Sequence, residues 1–130
     1  MPSYSSSSER RRAQHPALSL AAEAQRLIDL LRIEINSRSG GFAVRRESLL
    51  RAVTPFSNFY AALKKSGPGP YSIEVHEWSK ILSDVQQVVE TVKMASQFSV
   101  EESFLSRLPL IDRALRTLEA TMSALVAYRR

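Results

Sequence analysis

The sequence predicts an all-α protein, an up-and-down four-helix bundle preceded by a disordered Ser/Arg-rich tail. Apolar residues recur at spacings of three and four over most of the chain, the pattern that lines one face of a helix. The periodic stretches are separated by short Gly/Pro/Ser breaks. No period-two stretch predicts a strand, and Gly41 to Val44 offers at most a short extended piece. A chain of 130 residues is the size of one domain. Four amphipathic segments with short connections close most economically as an antiparallel bundle over residues 17–130.

Residues 1–16 combine four consecutive serines, three arginines and Pro16, a composition with nothing to bury, which predicts a disordered basic tail. The first helix is expected from Leu18 to about Ser37, with Leu20, Ala24, Leu27, Ile28, Leu31 and Ile35 on its core face. Gly40 and Gly41 are expected to stop it. Leu30 and Ile33 lie off that stripe and widen the apolar arc, so a second face should bury against something.

The second segment runs from about Val44 to Lys65 with Leu49, Leu50, Val53, Phe56, Tyr60 and Leu63 on one stripe. Thr54-Pro55 reads as an N-cap followed by Pro at the first helical position, which predicts a kinked helix or two separate ones. Ser66-Gly67-Pro68-Gly69-Pro70 is a strong breaker with no helical option. A third helix is expected over about Ser72 to Phe98, its stripe being Val75, Trp78, Leu82, Val85, Val89 and Val92. Ser99-Val100-Glu101-Glu102 has the form of a capping box with Ser99 as N-cap. The fourth helix then carries Phe104, Leu108, Ile111, Leu115, Leu118, Met122 and Leu125, and Pro109 should kink or break it near its start.

Composition removes several chemistries. With no cysteine there is no disulfide scaffold, Cys-ligated zinc, iron–sulfur cluster or thiol nucleophile. His76-Glu77 has Lys80 where a zinc-protease helix needs its second histidine, Glu-x-x-His spacing occurs nowhere, and His15 lies in the expected tail. Gly67 to Pro70 has too few backbone donors to cradle phosphate. Asp29, Glu34, Asp84, Glu90 and Asp112 are expected as solvated charges on polar helix faces. The expectation is therefore a non-enzymatic protein without metal or cofactor.

The net charge of +5 is unevenly spread. Segment 38–65 holds Arg38, Arg45, Arg46, Arg51, Lys64 and Lys65 against Glu47 alone, whereas 66–128 is net negative. If the six cations gathered at one end of the bundle, they would form an anion site for nucleic acid or an anionic membrane surface. Ser48, after Arg45-Arg46-Glu47, suits a basophilic kinase, and phosphate there would cancel local positive charge. The adjacent aromatics Phe56, Phe59 and Tyr60 exceed what one stripe accommodates, so at least one should point outward, and partner contacts are expected from this cluster. Trp78 is expected as a core anchor.

No stretch is apolar enough to span a membrane, the start of the chain lacks a secretory leader, and Glu9 argues against an organelle transit peptide, so a cytoplasmic location is expected. The end, Tyr128-Arg129-Arg130, carries no helix stop signal, as in a fragment of a longer chain.

The stretch Leu49-Leu50-Arg51-Ala52-Val53-Thr54-Pro55-Phe56, the Gly/Pro break, the Val/Leu helix from Val75 to Val92 and the last stripe through Leu108, Ile111, Leu115 and Leu118 together resemble the HeLo-like four-helix domains. These domains stand at the N-termini of powdery-mildew-resistance-type plant immune receptors and mixed-lineage-kinase-like cell-death proteins. The resemblance implies a non-enzymatic module that self-associates and engages membranes or signalling partners. The polar tail departs from the apolar or amphipathic leading helix of such domains, which puts pore formation in doubt. The leading expectation is thus a protein–protein interaction or oligomerisation module, with itself or another protein as partner. The alternative is a basic accessory protein acting through residues 38–65 and the tail.

Overall fold

A computed structural model describes residues 15–37 and 40–129. Helix α1 spans Pro16–Asn36. His15 is its N-cap, with Nδ1 accepting the Ala17 N–H at 3.0 Å, and Pro16 occupies the first turn, where a missing N–H costs nothing. The tail expected over 1–16 therefore ends sooner: His15 and Pro16 belong to the helix, while the serines and arginines of 1–14 lie outside the described residues. All six expected core positions of α1 are buried.

The glycines after α1 do not terminate it. The helix ends at Asn36 with Ser37 extended as C-cap, and Gly41 is instead the N-cap of α2, Phe42–Ser66. Gly40 adopts φ +79°, and a Cβ there would meet Val44 Cγ1 at 3.1 Å, so both backbone and space call for glycine. Helix α2 is one helix, not two, and Pro55 lies inside it. A proline in a helix interior costs about 3 kcal/mol, but burying Val53 and Phe56 on either side contributes about that much from each side chain. Leu50 leaves its expected stripe and is exposed.

The Gly/Pro break also holds more structure than expected, because Gly69–Tyr71 forms one turn of 3₁₀ helix after Gly67 caps α2 at φ +70°. A tight i to i+3 turn tolerates Pro70 where a longer helix would not. Ser72 then takes a left-handed conformation, φ 54°, and Ile73 is buried. That excursion delays α3 to Val75–Ser96, with Glu74 as N-cap and its N–H donating to Glu77 Oε1 at 3.1 Å. Val75 is accordingly 67 % exposed and Trp78 and Leu82 half-buried, while Ile81, Val88 and Ala95 join Val85, Val89 and Val92 inside.

Helix α4 spans Glu101–Ala127 and runs unbroken through Pro109. Its N-cap is Val100 rather than Ser99, with no side-chain cap bond. The Val100 carbonyl accepts the Phe104 N–H, so Ser99 sits one residue outside the helix, and Glu101 and Glu102 complement the positive helix end. At its other end Arg129 Nη1 donates to the Leu125 carbonyl at 2.8 Å, a cap supplied from beyond the helix.

Each helix packs on its sequence neighbours, and α1 closes the ring against α4. Cross-links descend in antiparallel order, Gln25 to Glu119 and Arg32 to Asp112 between α1 and α4, and Glu77 to Arg129 and Asp84 to Thr121 between α3 and α4. The result is the up-and-down four-helix bundle, its core built from residues of every helix around Phe56, Ile28, Val85 and Leu115. The α1–α2 and α3–α4 connections share one half of the bundle; the α2–α3 connection and both ends of the described chain occupy the other.

Candidate functional site

Of the three aromatics expected at a partner surface, Phe56 is fully enclosed. It points between neighbouring helices and offers nothing to a partner, which corrects its place in the patch. Phe59 and Tyr60 are half-buried and pack on the core. The Lys64 ammonium sits 5.4 Å from the centre of the Tyr60 ring, covering it further. Trp78 also packs on the core, with its indole N–H buried and without a hydrogen-bond partner among the described residues.

The five of these cations that are described do not gather. Arg45 and Lys64 are 19 positions apart in one continuous helix, about 28 Å along its axis, so Lys64 and Lys65 stand at the opposite end of α2 from Arg45 and Arg46. Arg46 is occupied internally, donating to the Phe98 carbonyl at 2.8 Å and stacking 5.0 Å from the Phe42 ring. Arg45 is half-buried, its Nε without a partner among the described residues. Arg51 is exposed, near Glu47 and Ser48, whose half-buried hydroxyl accepts from its guanidinium at 3.3 Å. Arg38 lies outside the described residues.

Two ion clusters knit the bundle. Arg32 forms a two-pronged pair with Glu119, at 2.9 and 3.0 Å, and Gln25 donates to the same carboxylate at 2.8 Å. Hydrogen bonding from Arg32 and then Gln25 holds the Glu119 carboxyl below the usual glutamate range. Arg129 does the same for Glu77, through bonds of 2.8 and 3.2 Å, helped by the Glu74 N–H. Asp84 departs from its expected role as a solvated charge. It is 8 % exposed, accepts the Thr121 hydroxyl and lies 3.4 Å from Lys80, because it sits in the α3–α4 seam.

His76 is exposed, 3.1 Å from Glu74, and among the described residues no group of three or more His, Asp, Glu or Cys is placed to hold a metal ion. No helix of the described residues is long and apolar enough to cross a membrane.

The apolar surface is distributed unequally. Ten large apolar side chains remain exposed among the described residues, and all but two lie in the half that carries the α1–α2 and α3–α4 connections. Leu30 and Ile33 on α1, Val44 and Leu50 on α2, and Met94 on α3 belong to that half, as do Val100, Leu105 and Leu110 near the start of α4. Val75 and Tyr128 are the exceptions. Leu30 and Ile33, at 48 and 67 % exposure, thus present the second apolar face expected of α1 to solvent, not to another helix.

A groove of about 420 Å³ runs along the α3–α4 seam from mid-bundle into that half. Helix α3 lines it with Asp84, Gln87, Glu90, Thr91 and Met94, and α4 with Arg107, Leu110, Arg113, Ala114 and Thr117. These residues were not singled out as a site from sequence, although a signal was there: Leu110, Ala114, Thr117, Thr121, Ala124 and Tyr128 repeat at four and three beside the core stripe of α4.

No protein-family model, curated protein or solved structure matches the chain. Function is therefore read from its own surface.

Proposed function

We propose that the chain is a non-enzymatic helical-bundle module that works by protein–protein contact, self-association included, in the manner of an adaptor or signalling domain. One observation supports this reading above others: among the described residues, eight of the ten exposed large apolar side chains lie in one half of the bundle. Scattered single apolar residues are ordinary on a surface, but their concentration at one end marks a contact region. The self-association implied by the HeLo-like resemblance agrees with it.

Light scattering coupled to size exclusion, on the full chain over a range of concentrations at low and high salt, tests the reading. An assembly that persists at high salt is expected, since apolar burial is not screened. A strict monomer up to roughly 100 μM would refute self-association, as an affinity weaker than that is below what a stable interface of standard size provides.

A further inference from the structure

We infer that the α3–α4 groove is the docking face for a second copy of this chain, in a dimer whose two-fold axis runs along the groove; this rests on the reading above and names its surface. The groove has two walls of opposite charge. Glu90 stands on the α3 wall and Arg113 on the α4 wall. Both are exposed, and neither side chain has an ion pair or hydrogen bond among the described residues. Arg26, Arg32, Arg51, Arg116 and Arg129 have carboxylate partners within their own chain, Arg46 and Arg107 lie against the Phe42 and Phe98 rings, and Arg45 is half-buried, so Arg113 differs from them in being both exposed and unengaged. Between the walls lie Met94, 50 % exposed, and Leu110, 37 % exposed, with the small Ala114.

This arrangement is self-complementary. Asp84 bonds to Thr121 and Arg107 lies against Met94, so Glu90 and Arg113 stand at nearly the same height along the antiparallel pair. Rotation by 180° about an axis along the groove lays α3 of one copy over α4 of the other at that height. Each Glu90 then meets the other copy's Arg113, twice per dimer, and the apolar floors face each other, as an isologous interface requires. A two-fold axis across the groove would instead set like wall on like wall, and the charges oppose it. The groove itself runs about 15 Å, from Asp84 to Met94 on α3; the whole α3–α4 face, of which it takes about half, measures about 33 Å by about 20 Å in plan, roughly 650 Å² against the roughly 800 Å² each partner gives to a standard interface.

The experiment is a charge swap read by sedimentation or light scattering on the full chain, with native mass spectrometry to identify the species. Glu90→Arg and Arg113→Glu are each expected to weaken the dimer by about 100-fold or more, since each creates two like-charge contacts. Mixed in equal amounts, the two variants should recover a 1:1 heterodimer, because every contact is then between opposite charges. Glu90→Gln and Arg113→Gln, which only remove charge, should weaken it by roughly tenfold. Far-UV circular dichroism should be unchanged in all four, as these side chains hold nothing within the monomer. A dimer indifferent to the reversals would overturn this interface while leaving self-association standing. Monomeric variants that fail to recover on mixing would also overturn it. A wild-type monomer at all concentrations would remove both this inference and the self-association beneath it.

Discussion

Replacing Phe56 by Ala separates a core residue from an interface residue in a single measurement. Phe56 is 0 % exposed, so truncation removes a fully enclosed ring from the core of the bundle. Losing about 100 Å² of buried apolar surface costs about 2.5 kcal/mol, and a ring-sized void of about 70 Å³ adds about 1.7 kcal/mol, a total near 4 kcal/mol. That is a large share of the roughly 5–15 kcal/mol by which a domain is held folded. With an unfolding entropy of about 2.1 cal/mol/K per residue over about 110 residues, it corresponds to a fall in Tm of about 17 °C. Thermal and urea unfolding followed by far-UV circular dichroism measures it, and Phe59→Ala, at a half-buried site, should cost less than half as much. A drop under about 5 °C for Phe56→Ala, with association lost instead, would show that Phe56 faces a partner and that the packing described for α2 is wrong.

Acid should loosen the bundle through its ion clusters. Glu77 and Glu119 have lowered pKa values when folded, so their contribution is complete above the ordinary glutamate pKa and is lost as pH falls through the lower folded values. Glu119→Gln should cost about 1 kcal/mol at neutral pH and flatten the acid limb of urea midpoint against pH; an unchanged limb would deny Arg32–Glu119 a role in stability. Thr121→Val strips the buried Asp84 carboxylate of its hydroxyl donor and should cost about 1–2 kcal/mol by urea titration, whereas a neutral outcome would mean that water replaces the bond. Gly40→Ala must adopt φ +79° against Val44 and should lower stability by about 1 kcal/mol; a stabilised variant would show that the loop takes another path.

Much of the fold was legible because it is local. A helix turns by a fixed angle per residue, so spacings of three and four in α1 and α4 mark their buried faces whatever they pack on, and nearly every residue of those two stripes is inside. Local rules failed where two of them competed. Ser99 has the capping-box sequence, yet α4 starts one residue later; Thr54-Pro55 has the form of a helix start, yet buried Val53 and Phe56 carry α2 through it. Within the aromatic cluster, periodicity gives a direction around the axis of α2 but not the depth of the neighbour opposite, and that depth encloses Phe56 while leaving Phe59 and Tyr60 half-covered.

By itself, then, the sequence determined four amphipathic helices, their approximate limits, and the absence of thiol chemistry in a chain without cysteine. Only the tertiary structure decided which charges are consumed and which are free. Arg129 and Glu77 are 52 positions apart and Arg32 and Glu119 are 87 apart, separations at which no local spacing rule operates. Only the ring of helices decided that Asp84 is buried in the α3–α4 seam against Thr121, and that Glu90 and Arg113 line opposite walls of one groove. A side chain's spacing along its helix sets its direction, but its exposure and its partners depend on what another helix, remote in sequence, brings to the same place.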